Sequence, residues 1–466
     1  MEQVDFVKQV REKLQNKNCQ YSILTFGCQL NENDSEKIAG MLEEMGYKKA
    51  EKFEESDIVV FNTCCVRENA EERLFGKLGE IKKMKEKNGT IIAIGGCMMQ
   101  EKSMLDKIKK SYHYVDIVFG THTIQTLPED LYKVIVKQEK VKEVWDIDGE
   151  IIEGLPIKRN DKYRASVTIM YGCNKFCSYC IVPYVRGRER SRNPEDILKE
   201  ISQLAKDGYK EITLLGQNVN SYGKDGFKYC NPEVTSNIKN FAELLRAVNE
   251  IDGIQKIKFM SPHPRDFTDD VIDAIKDCSK ISKMIHMPLQ SGNTKVLKEM
   301  NRGYSKEQFL ELARKMKERI PNLHLSTDII VGFPGETEDE FEDTLDVVRQ
   351  VEFEQIFMFI YSIREGTRAA SREDQVPEEV KHQRFERLKE LYDSQVDKQN
   401  ESYLETVQDI LIEGPSKNDK TKLTGRTDSN KVVVFKPNGK EEIGDIVRVR
   451  ITENHKWFLS GEIEKE

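Results

Sequence analysis

The sequence predicts an α/β chain in three parts: an N-terminal parallel α/β sheet domain over residues 20–138, a central partial (β/α)6 barrel over 159–390, and a small all-β barrel over 400–464. Three observations carry this. Apolar strand-like runs alternate with helix-period segments through the first two parts, the βαβ order that builds parallel sheets. After about residue 401 the pattern changes to short strands separated by turn residues such as Asn438 and Gly439. A length of 466 residues suits two or three domains.

In the first part, strands are expected at 21–26, 57–63, 90–96 and 115–119. A helix is expected at 31–46, where Ile38, Met41, Leu42 and Met45 recur at helical spacing, and another through Leu74 and Leu78. Six barrel strands are expected at 165–170, 211–215, 256–260, 283–287, 324–331 and 355–360, with helices between them such as 194–205, 307–319 and 338–351. The active face of such a barrel lies at the strand C-termini. Pro377 suits the start of a long charged helix through Leu388 and Leu391 that leads out of the barrel. Strands at 406–412, 431–435, 446–451 and 457–462 then make the terminal barrel.

Composition narrows the class. The chain is 38% hydrophobic and 33% charged, with a formal net charge of -8, as a soluble globular protein is. It carries no apolar run of membrane-spanning length, and its first residues lack the basic and apolar regions of a secretion signal, so a cytoplasmic location without a membrane partner is expected. Ten cysteines in such a chain point to metal or redox chemistry and not to a disulfide framework. Residues 159–192 hold eight basic side chains against two acidic ones. Phosphate-rich partners favour such a stretch; a solvated face or the anion-binding rim of a cofactor site is the alternative.

Cys173, Cys177 and Cys180 form a Cys-x3-Cys-x2-Cys loop after the first barrel strand. Three thiolates on a [4Fe–4S] cubane leave one iron open to a small molecule, whereas a zinc knuckle needs a fourth ligand from elsewhere. Cys28, Cys64 and Cys97 each follow an expected strand, at intervals of 36 and 33 residues. Loops at the carboxyl ends of parallel strands share one edge, so these thiolates can converge on a second cluster; three separately buried cysteines are the other reading. Cys65 adjoins Cys64 and is expected to point elsewhere, while Cys19, Cys230 and Cys278 read as structural. Tyr179 is placed to pack against a cofactor ring or against its own loop. Gly332 and Gly335, with Thr337 as a helix cap, form either a ligand cradle or a plain turn. Gln217, Asn218, His286 and Gln290 fall at strand ends. Asp328 lies within a strand and calls for a polar ligand or an arginine partner.

Together these motifs resemble the methylthiotransferases of the radical S-adenosylmethionine (SAM) superfamily. The resemblance spans residues 21–462 and rests on both cysteine sets and on the runs 25–35, 62–68, 95–97, 216–220, 261–264 and 331–337; Leu30 and Cys65 depart from the usual pattern. It implies two [4Fe–4S] clusters. The one on Cys173, Cys177 and Cys180 would bind SAM and cleave it to a 5′-deoxyadenosyl radical. The one on Cys28, Cys64 and Cys97 would carry the sulfur destined for C2 of N6-isopentenyladenosine beside the anticodon in tRNA. That C–H bond offers no proton a side chain can take, so the cofactor must bring radical chemistry. The resemblance further implies cofactor-binding roles for Tyr179, Gln217, Asp328, Gly332 and Gly335, and RNA contacts by Arg186, Arg188, Arg190 and Arg192. It implies a TRAM-like RNA-binding terminal barrel, a tRNA anticodon stem-loop as partner, a low-potential electron donor such as flavodoxin or ferredoxin, and a monomer. Sister branches act on threonylcarbamoyladenosine or on an aspartate of a ribosomal protein. A non-catalytic RNA-binding protein with structural zinc is the reading from another class.

Overall fold

The run Ile58–Thr63 is buried at every position, as a parallel strand covered by helices on both faces demands. It lies inside a six-stranded, all-parallel sheet in a computed structural model of the chain, which describes residues 3–65, 69–142, 144–145, 151–230 and 236–464. The sheet order is Lys48–Lys49, Gln20–Thr25, Ile58–Thr63, Ile91–Gly96, Ile117–Val118 and Val141–Lys142. The two outer strands, at two residues each, are too short to leave a period-2 signal in sequence. Helix Gln29–Glu44 buries Ile38, Met41 and Leu42 on one face of the sheet, and Leu74, Leu78 and Ile81 of helix Asn69–Asn88 cover the other. Each such side chain, fully buried, contributes about 1.5–3 kcal/mol. Residues 66–68 of the 62–68 motif lie outside the described residues.

The central part is a barrel of two three-stranded parallel halves. Arg164–Thr168, Glu211–Leu215 and Lys256–Phe259 form the first, and Met284–His286, His324–Val331 and Gln355–Ile360 the second. A parallel bridge between Ile257 and Ile281 joins them, so the first and sixth strands are the open edges. Helix Glu378–Glu401 starts after Pro377 and packs on the sixth strand, where Tyr392 donates to the Glu354 carbonyl at 3.1 Å.

The terminal part is a closed five-stranded barrel ordered Val407–Pro415, Leu423–Arg426, Val432–Phe435, Leu459–Ile463 and Ile446–Asn454. It adds the strand at 423–426, whose Leu-Thr-Gly-Arg sequence carries little strand character. The small barrel docks at the N-terminal ends of the central strands, through Lys431–Glu354 at 3.0 Å, Lys256–Asp428 at 3.0 Å and Arg164–Glu413 at 3.2 Å. The cysteine loop emerges from the opposite end.

Candidate active site

At the C-terminal end of the first barrel strand the chain turns through Gly172 into the loop of Cys173, Cys177 and Cys180. The Cys173 amide donates to the Gly187 carbonyl at 3.1 Å and the Cys180 amide to the Cys177 carbonyl at 3.0 Å. Lys175, between the first two cysteines, is pinned by Asp266 at 2.5 Å, and Asp266 also accepts from Lys224 at 2.7 Å and Asn218 at 2.9 Å. Glu189 accepts from the Asn174 amide at 3.2 Å and from Asn218 at 3.1 Å. Asn301 donates to the Lys175 and Phe176 carbonyls. Buried Arg302 donates to Cys177 Sγ at 3.4 Å, to the Tyr179 hydroxyl at 3.4 Å and to the Pro288 carbonyl at 2.9 Å. Burial, with the neighbouring thiols adding to it, pushes Cys173 and Cys180 up to about 12. Each of these thiols therefore holds its proton until a cation is bound; metal binding would displace it.

Around this loop several buried polar atoms have no partner: Gln217 Oε1, Asn218 Oδ1, His263 Nε2, Ser178 Oγ and Tyr361 Oη. A native site leaves few such atoms unless a ligand takes them. Soft sulfur donors beside a ring of unpaired polar groups are the donor set for an iron–sulfur cluster with a polar molecule upon it. Among the described residues, no three Cys, His, Asp or Glu side chains gather as a site for a single metal ion.

The second set is built by the N-terminal sheet. Cys28 stands at the N-terminus of helix Gln29–Glu44, Cys64 follows Ile58–Thr63, and Cys97 follows Ile91–Gly96. The approach is close enough to require glycine before two of them. Gly27 has φ +126, and a Cβ there would lie 2.4 Å from Cys64 Cβ; Gly96 has φ +98, and its Cβ would lie 2.3 Å from the Thr63 carbonyl oxygen. Asn31 ties the loops together by donating to the Thr63 carbonyl at 2.8 Å. Arg186 reaches in from the barrel: it donates to Cys97 Sγ at 3.1 Å and pairs with Asp34 at 2.9 Å. The hydrogen bond from Cys65, with Arg186 beside it, brings the Cys97 thiol down to about 6 despite its burial, and Cys65 is raised as the donor. A thiolate held beside a guanidinium is ready to ligate.

The two sets are neighbours. Ile181 and Val185, which follow Cys180, pack against Cys65 and Cys97. A cleft of about 320 Å³ opens beside Cys64 and Cys65, lined also by Met98, Glu101, Ile363 and Arg364.

Several expectations are corrected here. Cys65 does not point away: it joins the Cys97 site, because the turn after Thr63 folds both thiols inward. Arg186, Arg190 and Arg192 are buried and do not face an RNA backbone. Arg192 pairs with Glu153 and Glu200, and Arg190 donates to His122 at 3.2 Å. Only Arg188 of the four is exposed, stacked on the Phe176 ring at 4.4 Å. Asp328 meets His286 at 3.3 Å and not an arginine. At Gly332 and Gly335 the protein's own side chains make the close approach, Lys381 at the first and Asp374 with Arg372 at the second. The Gly332 amide donates to Glu336 at 2.7 Å, and Thr337 caps the next helix with Glu340 in a capping box. Tyr179 packs against the apolar cluster of Val296, Met300, Phe333, Tyr361 and Ala369. Gln290 bridges to Ile329 as backbone, and His286 also bonds Ser326 at 3.0 Å. Sequence reasoning missed Arg302, Asp266 and Glu189; Arg302 lies in a turn after the helix Thr294–Glu299, Asp266 ends a short 3-10 helix just past the 261–264 run, and Glu189 is masked by its basic neighbours.

Comparison with known proteins accords with this geometry. Residues 167–348 match the radical SAM superfamily, 20–120 the uncharacterized protein family UPF0004, and 401–463 the TRAM domain. The chain is 54% identical over 448 residues to a tRNA-2-methylthio-N(6)-dimethylallyladenosine synthase of Clostridium tetani, covering 96% of this chain and 97% of that one. It is 52% identical over 446 residues to that of Clostridium beijerinckii, covering 96% of each. Among solved structures it resembles the radical S-adenosylmethionine methyltransferase TsrM from Kitasatospora setae, with a TM-score of 0.54 and 14% identity over 76% of this chain and 75% of that one, a likeness of fold. Radical SAM membership brings SAM and a [4Fe–4S] cluster, and kinship with the methylthio synthases makes the chain a transferase. The chain belongs to the tRNA-2-methylthio-N(6)-dimethylallyladenosine synthase family of radical SAM enzymes.

Proposed function

We propose that this chain adds a methylthio group to C2 of N6-dimethylallyladenosine in tRNA and that it holds two [4Fe–4S] clusters to do so. Cys173, Cys177 and Cys180 would hold the one that takes SAM; Cys28, Cys64 and Cys97 would hold the other. The observation that carries this reading is the juxtaposition of the two cysteine sets across Ile181, Val185 and Arg186. When bound, the clusters supply one-electron reduction of SAM and a carrier for sulfur.

The chain's own residues prepare the site. Asp266 and Glu189 fix the cysteine loop through Lys175 and Asn174. Arg302 and Arg186 each donate to one ligand sulfur, which stabilises the thiolate and sets the ligand's orientation. The unpaired atoms of Gln217, Asn218 and His263 are candidates to orient SAM. Tyr179 acts on the loop and not as a free platform, since it packs against the apolar side chains around Phe333 and Tyr361. We assign auxiliary-cluster, radical and RNA-binding tasks to residues 20–138, 159–390 and 400–464 respectively.

Mass spectrometry of tRNA nucleosides from a strain lacking this protein tests the reading. Loss of 2-methylthio-N6-dimethylallyladenosine supports it. An intact level of that nucleoside, with another methylthiolated species missing, overturns it.

A further inference from the structure

The lumen of the central barrel is polar on most of its strands. Ser166, Thr213 and Lys258 stand in register on three adjacent strands and are partly exposed, and Asp328 faces His286 from the second half. The sixth strand differs. Phe357 and Phe359 are the register partners of Asp328 and Ile330, and they are 42% and 50% exposed. Between and beside them Ile356, Met358 and Ile360 point the other way, into the core under the helices. The Phe357 ring meets His286 edge-on at 5.9 Å. Two large aromatic side chains left open on an edge strand mark a contact surface and not a folding need.

The strip has defined ends. Ile363, just past the strand, is 56% exposed and lines the cleft that also holds Cys64 and Cys65. At the other side Ile330, beside Phe359, packs against the same apolar cluster, built on Phe333 and Tyr361, as Tyr179 of the Cys177–Cys180 segment. The apolar strip thus reaches from the cleft at Cys64 and Cys65 to the apolar cluster under the Cys177–Cys180 segment, the side on which an acceptor of both sets would enter.

We propose that Phe357, Phe359 and Ile363 receive the N6 substituent of the target adenine, a branched alkenyl group, and make the chain selective for prenylated RNA. This rests on the function proposed above and names the residues that read the substrate. An alkenyl group has no hydrogen-bonding atom, and each methylene it buries on such a strip is worth about fourfold in affinity. A substituent ending in a carboxylate would be desolvated against two phenyl rings and rejected.

The test uses the full-length, iron-loaded chain and two anticodon stem-loop RNAs that differ only in the N6-dimethylallyl group of the target adenine. Wild type should bind the prenylated RNA about fifteenfold more tightly, the effect of roughly two buried carbons. Phe359→Ser and the double variant Phe357→Ala/Phe359→Ala should bring that ratio close to one, and Phe359→Leu should retain most of it. Both rings are half exposed, so truncation removes little packing; should the double variant fail to fold, the Ser and Leu pair decides. An unchanged ratio in Phe359→Ser overturns the proposal, as does an equal weakening of both RNAs. A fall in SAM affinity with the ratio intact also overturns it and assigns the strip to SAM. Failure of wild type to form any methylthio product on prenylated RNA refutes the functional reading itself, separately from these outcomes.

Discussion

Replacing Arg186 by Gln tests how the two halves of the site are held together. Arg186 and Asp34 are 4% and 3% exposed in their side chains and 2.9 Å apart, one from the barrel and one from the sheet domain. Both charged groups are thus almost wholly withdrawn from solvent. Removing one partner of a buried pair leaves the other uncompensated, at a cost of about 3–5 kcal/mol. The hydrogen bond to Cys97 Sγ at 3.1 Å is lost as well. The two tryptophans provide the assay: Trp145 lies against the sheet domain, where its carbonyl accepts from Gln100 at 3.0 Å, and Trp457 belongs to the terminal barrel. In a Trp457→Phe background, urea unfolding of the iron-free chain followed at Trp145 reports on the sheet domain. Arg186→Gln should lower its stability by about 3 kcal/mol, and the added change Asp34→Asn should restore at least about 2 kcal/mol of that. A loss below about 1 kcal/mol, the worth of an exposed pair, refutes the reasoning, as does a double variant no more stable than the single one.

Two further outcomes follow from the same geometry. Burial acts to raise the Asp266 carboxyl, but hydrogen bonds from Lys175, Lys224 and Asn218 more than offset it and hold it below the usual carboxylate range. Its stabilising effect is therefore present above about pH 4 and lost as pH falls through the lower folded value; Asp266→Asn should be less stable at pH 7 and should lack that acid limb in thermal melts taken from pH 7 down to pH 2. Cys65→Ala removes the hydrogen bond that lowers Cys97, so alkylation of Cys97 in the iron-free chain, followed by peptide mass mapping, should shift to higher pH, and an unshifted profile would discount Cys65 as the donor.

Both cysteine sets were legible because the chemistry constrains residue type and place together. A short loop supplies Cys173, Cys177 and Cys180, and a parallel sheet brings Cys28, Cys64 and Cys97 to one edge however far apart they lie in sequence. The sheet-domain strands were legible for a similar reason: a run such as Ile58–Thr63 must be largely apolar to be buried on both faces. Charge was the misleading signal. Arg186, Arg190 and Arg192 look like a nucleic-acid surface in sequence, but of their partners Asp34, Glu153 and His122 come from distant segments, and Glu200 from the helix that follows. The Asp328–His286 pair was hidden in the same way, since strand neighbours are set by topology. Cys65 was misjudged because alternation along a strand ends where the turn begins. The terminal barrel's position, at the strand ends opposite the cysteines, left no trace in its own residues.

The central claim is that two cysteine sets divide the chemistry. The most direct measurement takes Cys64→Ala, iron-loaded and reduced, with SAM and prenylated anticodon stem-loop RNA, and quantifies 5′-deoxyadenosine and methylthio-nucleoside together by mass spectrometry. The account predicts that 5′-deoxyadenosine still forms while the methylthio-nucleoside is absent, and that Cys177→Ala yields neither. Methylthio product from Cys64→Ala, or loss of 5′-deoxyadenosine in Cys64→Ala to the level of Cys177→Ala, would contradict it.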